Sequence, residues 1–313
     1  MLTFFRNWTL PIAMILGVVI YFCFAKLDFL DSTKPFVYEF VRIIMPLQIF
    51  TQLLLTFCKI NFEEMRFSRY HFYLLFVQLF FVLILSAIVL SLPLNLSMKY
   101  ALEGAIVCFI APTATAAAVI TNKLGGSVAR TTMYTILMNL IVAFLVPLLF
   151  PLLEPSEMSF FSAFFRIAKG LIPTMILPLF LAYFFKKYFP AIHQFLASYS
   201  FLSFYLWAFT LVILMAQTTQ AMIHSDLLAN LGGIVVAFFA CCIQFSLGKW
   251  IGQRYNDRIT AGQSLGQKNT VLAIWMANVY LNPTIAIAPG AYVVWQNIFN
   301  SYQLYRVRVG KSI

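Results

Sequence analysis

Two short stretches set hydrogen-bonding groups inside otherwise apolar runs. Gly262-Gln263-Ser264-Leu265-Gly266-Gln267-Lys268-Asn269-Thr270 leads into the apolar segment 271–279. Ala111-Pro112-Thr113-Ala114-Thr115-Ala116-Ala117-Ala118 interrupts another. Pro112 removes a backbone donor and clashes with the preceding turn, and the threonine hydroxyls beside it can bond the freed backbone. Lys268 brings three donors and no acceptor. Polar groups at membrane depth are expensive and line cavities or sites, so the chemistry indicated is non-covalent binding of an ion or polar solute. The plainer readings are a proline kink at Pro112 and a surface loop over 256–268. Covalent chemistry has little support. His71, His193 and His224 sit at loop edges, and no span offers a Ser-His or paired-carboxylate set. Cys23, Cys58, Cys108, Cys241 and Cys242 show no metal or redox spacing and read as small buried hydrophobes. Neither an enzyme, a cofactor nor a metal is expected.

Other polar residues in apolar runs read as structural. Gln78 must face the protein interior, as a hydrogen-bonder or as part of a site. Glu39 and Arg42 are three apart and predict a local ion pair. Arg166 and Lys169 suit interfacial anchoring, and Asn139 and Gln217 suit helix–helix contacts.

The elements that position these residues follow from composition. Of 313 residues 62% are hydrophobic and 10% charged, and mean hydropathy is +0.88. A soluble domain carries about 25% charged residues, so the bilayer is the expected solvent. The net charge of +11 does not point to nucleic acid, because the basic residues are scattered in short loops rather than gathered on a face. A crossing helix needs roughly 20 apolar residues. Ten spans are predicted, at 8–26, 36–57, 71–93, 101–121, 128–152, 160–185, 197–221, 227–249, 261–280 and 283–304. The first is read as a retained helix, since it runs through Phe24 without a cleavage site. Even-numbered connections and both termini hold fourteen Lys and Arg residues, against Lys26, Lys34 and Lys99 on the other side. Both termini are therefore expected in the cytoplasm, with a bacterial plasma membrane as the expected location.

Cut near Glu154, the chain gives two halves, 1–153 and 154–313, of five spans each. An odd number of spans makes the halves insert with opposite topology. Each half has its interrupted span in fourth place, the pattern of an inverted-repeat secondary transporter. The expected fold is thus an all-α integral membrane protein of ten helices, in two inverted five-helix repeats with broken, crossing helices 4 and 9.

At these interruptions the sequence resembles the bile acid:sodium symporter family. Pro112-Thr113-Ala114-Thr115-Ala116 looks like that family's P-G-G-T-A motif, and Gly266-Gln267-Lys268-Asn269-Thr270-Val271-Leu272-Ala273 like its G-x-Q-N-x-x-L-A motif. The resemblance implies a core domain of helices 3–5 and 8–10 and a panel domain of helices 1, 2, 6 and 7. A small organic anion would bind near the crossover, at Pro112, Thr113, Thr115, Asn269 and Thr270, and domain movement would give alternating access.

The resemblance also locates departures. Sodium-coupled members hold two ions with oxygen ligands. Their Ser-Asn pair falls at Ala117 and Ala118 and their bridging acid at Ser264. Their ninth-helix glutamine falls at Lys268, whereas Gln78, Thr131 and Thr135 are retained in kind. Hard cations need oxygen ligands, so Lys268 is expected to replace a sodium ion; the plainer reading is that Lys268 pairs with a distant group such as Glu103 and transport uses neither ion. The alternatives are a sodium- or proton-coupled carrier of the same fold, for instance for a metalloid oxyanion, and a non-transporting membrane sensor. Oligomeric state is open.

Overall fold

Long apolar runs become helices because hydrocarbon offers the backbone no other hydrogen-bond partner. The computed structural model describes residues 2–60, 63, 65–114, 116–154 and 159–310. The helices are α1 (Leu2–Lys26), α2 (Lys34–Cys58), α3 (Tyr70–Ser91), α4 (Leu96–Ile110), α5 (Ala116–Lys123), α6 (Val128–Leu153), α7 (Phe160–Tyr188), α8 (Pro190–Ser198), α9 (Leu202–His224), α10 (Leu227–Gln253), α11 (Arg258–Gly266), α12 (Thr270–Tyr280) and α13 (Ile287–Arg308). Short 3-10 turns, Asp28–Thr33 and Pro283–Ala286, precede α2 and α13. Among the described residues six helical stretches are long and apolar enough to cross a membrane: Asp31–Cys58, Tyr70–Ser91, Val128–Leu153, Phe160–Tyr188, Tyr205–His224 and Leu227–Gln253. Ile12–Lys26 and Thr270–Tyr280 are shorter apolar helices.

The segments predicted as spans four and nine are each two helices, α4 with α5 and α11 with α12. The seventh expected span is shorter at its start. Pro190 opens the separate helix α8, whose fixed φ suits a first turn, and the chain turns at Tyr199 and Ser200 before α9.

The chain forms two compact units, Met1–Ile60 with Gly170–His224 and Asn61–Lys169 with Ser225–Ile313. Each unit takes helices from both halves of the sequence. In the first, α1 lies so close to α9 that a Cβ on Gly17 would sit 2.5 Å from the Val212 carbonyl oxygen, and Gln48 of α2 donates to the Leu206 carbonyl at 3.1 Å. The expected Glu39–Arg42 pair forms at 3.4 Å on the surface of α2.

The second unit holds both interrupted segments. Helices α10 and α11 form a hairpin whose approach is set by glycine. A Cβ on Gly248 would lie 2.6 Å from the Ala261 carbonyl oxygen, one on Gly252 2.5 Å from that of Asp257, and one on Gly266 2.4 Å from the Phe245 ring. At the head of α10, Asp226 is the N-cap, accepting from the Ala229 amide at 2.9 Å and the Ser97 hydroxyl at 2.7 Å. These bonds, the hydroxyl first, hold its carboxyl below the ordinary aspartate range.

Candidate functional site

A helix that stops inside the bilayer leaves its last carbonyls without intrahelical donors, and each buried orphan costs about 1–3 kcal/mol. Helix α4 stops at Ile110 because Pro112 cannot continue it. Three side chains from other helices then meet its end. Gln244 of α10 donates to the Cys108 carbonyl at 3.4 Å. Lys268 donates from Nζ to the Phe109 carbonyl at 3.2 Å. Gln78 of α3 donates to the Ile110 and Ala111 carbonyls at 3.4 and 3.3 Å. The helix dipole favours the charged form of a lysine at a helix C-terminus, and here the side chain is 1% exposed.

The break in α11 is closed in the same manner. The Thr113 hydroxyl donates to the Ser264 carbonyl at 2.6 Å, and the Tyr292 hydroxyl to that of Gly266 at 2.8 Å. The two interruptions then pair with each other. The Ala114 amide donates to the Gln267 carbonyl at 2.9 Å and the Asn269 amide to the Pro112 carbonyl at 2.8 Å, bringing Thr113 and Lys268 into one antiparallel bridge. The Lys268 amide finds Gln296 Oε1 of α13 at 3.0 Å. The second half-helix, α12, starts at an N-cap, Asn269, whose side chain accepts from the Leu272 amide at 3.2 Å. The result is a crossover of two broken helices with a buried lysine side chain at its centre.

Comparison with family models now decides the class of protein, with a match over residues 41–305 to the SBF-like CPA transporter family. The chain belongs to that family. It is accordingly a membrane transporter, and its apolar helices are those of an integral membrane protein. Comparison with curated proteins gives no match.

In this SBF-like transporter the residues singled out from sequence have distinct surroundings. Pro112 and Thr113 are fully buried, with the Thr113 hydroxyl committed to Ser264. Asn269 and Thr270 are buried at the head of α12. Thr115 lies outside the described residues. Ala117 is fully buried and Ala118 partly so, and neither side chain carries a ligating atom. Gln78 accepts from the Tyr134 hydroxyl at 3.3 Å while capping α4, so both ends of its amide are engaged. Thr131 and Thr135 donate back to the Ser127 and Thr131 carbonyls at 3.1 and 2.9 Å, and Thr131 also reaches Thr121 of α5 at 3.1 Å. The Ser264 hydroxyl oxygen is buried without a hydrogen-bond partner among the described residues. Glu103 is not paired with Lys268. Its carboxylate lies 3.6 Å from Lys99, which also contacts Glu154 at 3.2 Å.

Sequence reasoning missed several contributors. Gln244 and Tyr292 were absent from it, although an amide in an apolar run is a visible signal. Gln296, Asn300 and Gln303 recur at four- and three-residue spacing in the last span, a periodicity that could have marked a polar face of α13. A further cluster joins the starts of three helices. Asp257 accepts from Arg130 of α6 at 2.7 Å and from the Tyr70 hydroxyl of α3 at 2.8 Å.

Proposed function

We propose that this transporter moves a small organic anion by alternating access and does so without sodium, with Lys268 standing where an ion would otherwise sit. The observation that carries the reading is the Lys268 ammonium, 1% exposed and 3.2 Å from the Phe109 carbonyl at the end of α4. A cation that already neutralises a helix C-terminus leaves no need for a metal ion there, and it repels one. The positions that would have to ligate sodium support this. Ala117 and Ala118 have no side-chain oxygen to offer, and Gln78 is spent on α4 and Tyr134. The N-termini of α5 and α12 add partial positive charge at the crossover, which favours an anionic solute beside Pro112, Thr113, Thr115, Asn269 and Thr270. Ten spans with both termini in the cytoplasm of a plasma membrane complete the reading.

The test is thermal stability of the purified protein across a sodium titration, with potassium holding ionic strength. A ligand that binds only the folded state raises Tm with its concentration. Wild type is expected to ignore sodium, and the Lys268→Gln/Ser264→Glu double variant to gain a sodium-dependent rise. A specific sodium response in wild type would overturn the proposal.

A further inference from the structure

Helix α13 carries a stripe of amides in the interior of the second unit. Gln296, Asn300 and Gln303 lie on one face, as spacings of four and three residues require, and they are 1%, 4% and 1% exposed. Gln296 and Asn300 bond residues of α11 and of the break that follows it, whereas Gln303 donates to the Phe299 carbonyl of its own helix at 3.4 Å. Gln296 accepts from the Lys268 amide at 3.0 Å, Asn300 accepts from Gln263 at 3.0 Å, and Asn300 donates to Gln267. Over these eight positions the stripe spans roughly 10 Å of helix axis at about 1.5 Å per residue. It starts at the crossover. It ends where α13 reaches Arg306 and Arg308 and where α11 begins at Arg258.

The stripe is not internally satisfied. Gln263 Oε1, Ser264 Oγ and Gln303 Oε1 are buried without hydrogen-bond partners among the described residues. Gln263 lies against Asn300, Ser264 is its neighbour on α11, and Gln303 follows Asn300 on α13. A dry helix–helix contact would pair them or replace them with apolar groups, since each orphan costs about 1–3 kcal/mol. Buried water normally answers such groups where several polar atoms converge.

We propose that α11 and α13 enclose a hydrated column that opens at the basic end of the unit and reaches Lys268. Water in the column gives the buried ammonium contact with one compartment, so that protons can reach it along a route built from amides. The significance for coupling rests on the reading of Lys268 given above, whereas the hydration of the column does not.

Cysteine accessibility tests it. In a background with Cys23, Cys58, Cys108, Cys241 and Cys242 replaced by alanine, Asn300→Cys and Gln303→Cys are exposed in membranes to a small, membrane-impermeant cationic methanethiosulfonate. Ile298→Cys, on the exposed side of α13, serves as the control. Modification of both column positions several-fold faster than the control supports the column, and rates no higher than the control overturn it. If a variant fails to fold, radiolytic oxidation of the unsubstituted protein decides. Tyr292 is fully buried on the same face of α13. Its oxidation supports water within the column, and its protection overturns the idea. Because labelling reads water rather than transport, a sodium response in wild type would sink the Lys268 reading and leave the column standing. A dry column would leave the Lys268 reading untouched.

Discussion

Lys268 and Gln78 solve one physical problem with different side chains. Both reach across to carbonyls that α4 cannot satisfy once Pro112 has ended it. The amide meets these carbonyls with neutral donors and uses its oxygen for Tyr134, whereas a protonated lysine would add charge at the negative end of a helix. Lys268→Met should therefore lower unfolding stability by about 1–3 kcal/mol, the cost of an orphaned buried acceptor, while Lys268→Gln should cost less because it keeps a donor. Denaturant unfolding in detergent micelles compares the two, and equal stability of Met and Gln variants would make the Phe109 contact incidental. At this scale the sequence was partly legible. A lysine or glutamine inside an apolar run is costly wherever it points, so its presence alone marks it. Its partner is another matter. Phe109 and Cys108 take part through their carbonyls, which every residue has, and no side-chain type could announce them. Tyr292 reads as one aromatic among many until its hydroxyl is found on Gly266.

Between elements, separation is set by what is missing as much as by what is present. Gly266 lets the Phe245 ring lie where a Cβ would sit 2.4–2.6 Å from ring carbons, and that ring stacks on Phe299 at 4.9 Å. Gly266→Ala should cost about 1–3 kcal/mol through overpacking, and Phe245→Leu should recover part of the loss. Measured as a double-mutant cycle, additive effects would show that the two do not share the space. A second cycle belongs to the helix starts. Arg130 is about one-third exposed and Asp257 nearly buried, so solvent screens the pair on one side. Arg130→Met and Asp257→Asn are expected to couple by about 0.5–3 kcal/mol, and thermal unfolding of the two singles and the double measures it. The broken helices themselves were legible, because proline and a run of small or polar residues are local signals. The lock between them was not, because the bonds joining 112–114 to 267–269 run across more than 150 positions and use the backbone.

On the scale of the whole molecule, apolar length alone does not count the crossings. Six described helical stretches meet that criterion by themselves, yet the interrupted pairs α4–α5 and α11–α12 each contribute two short pieces. Charge provides an independent measure. Fourteen basic residues fall on one side of a ten-span arrangement and three on the other, and leaving out either interrupted pair as a crossing would scatter them. The positive-inside bias works during insertion, on short loops near span ends, so it reports topology without reference to packing. On the ten-span reading a fluorescent-protein fusion after Ile313 should therefore be bright in a bacterial inner membrane, and alkaline phosphatase fused after Glu154 should be active, because that reading puts five crossings between it and a cytoplasmic N-terminus. Activity of a phosphatase fused at the C-terminus, beside an active fusion after Glu154, would mean an even number of crossings between those two points. One of the broken pairs would then enter and leave by the same face, and the two halves could not be inverted copies.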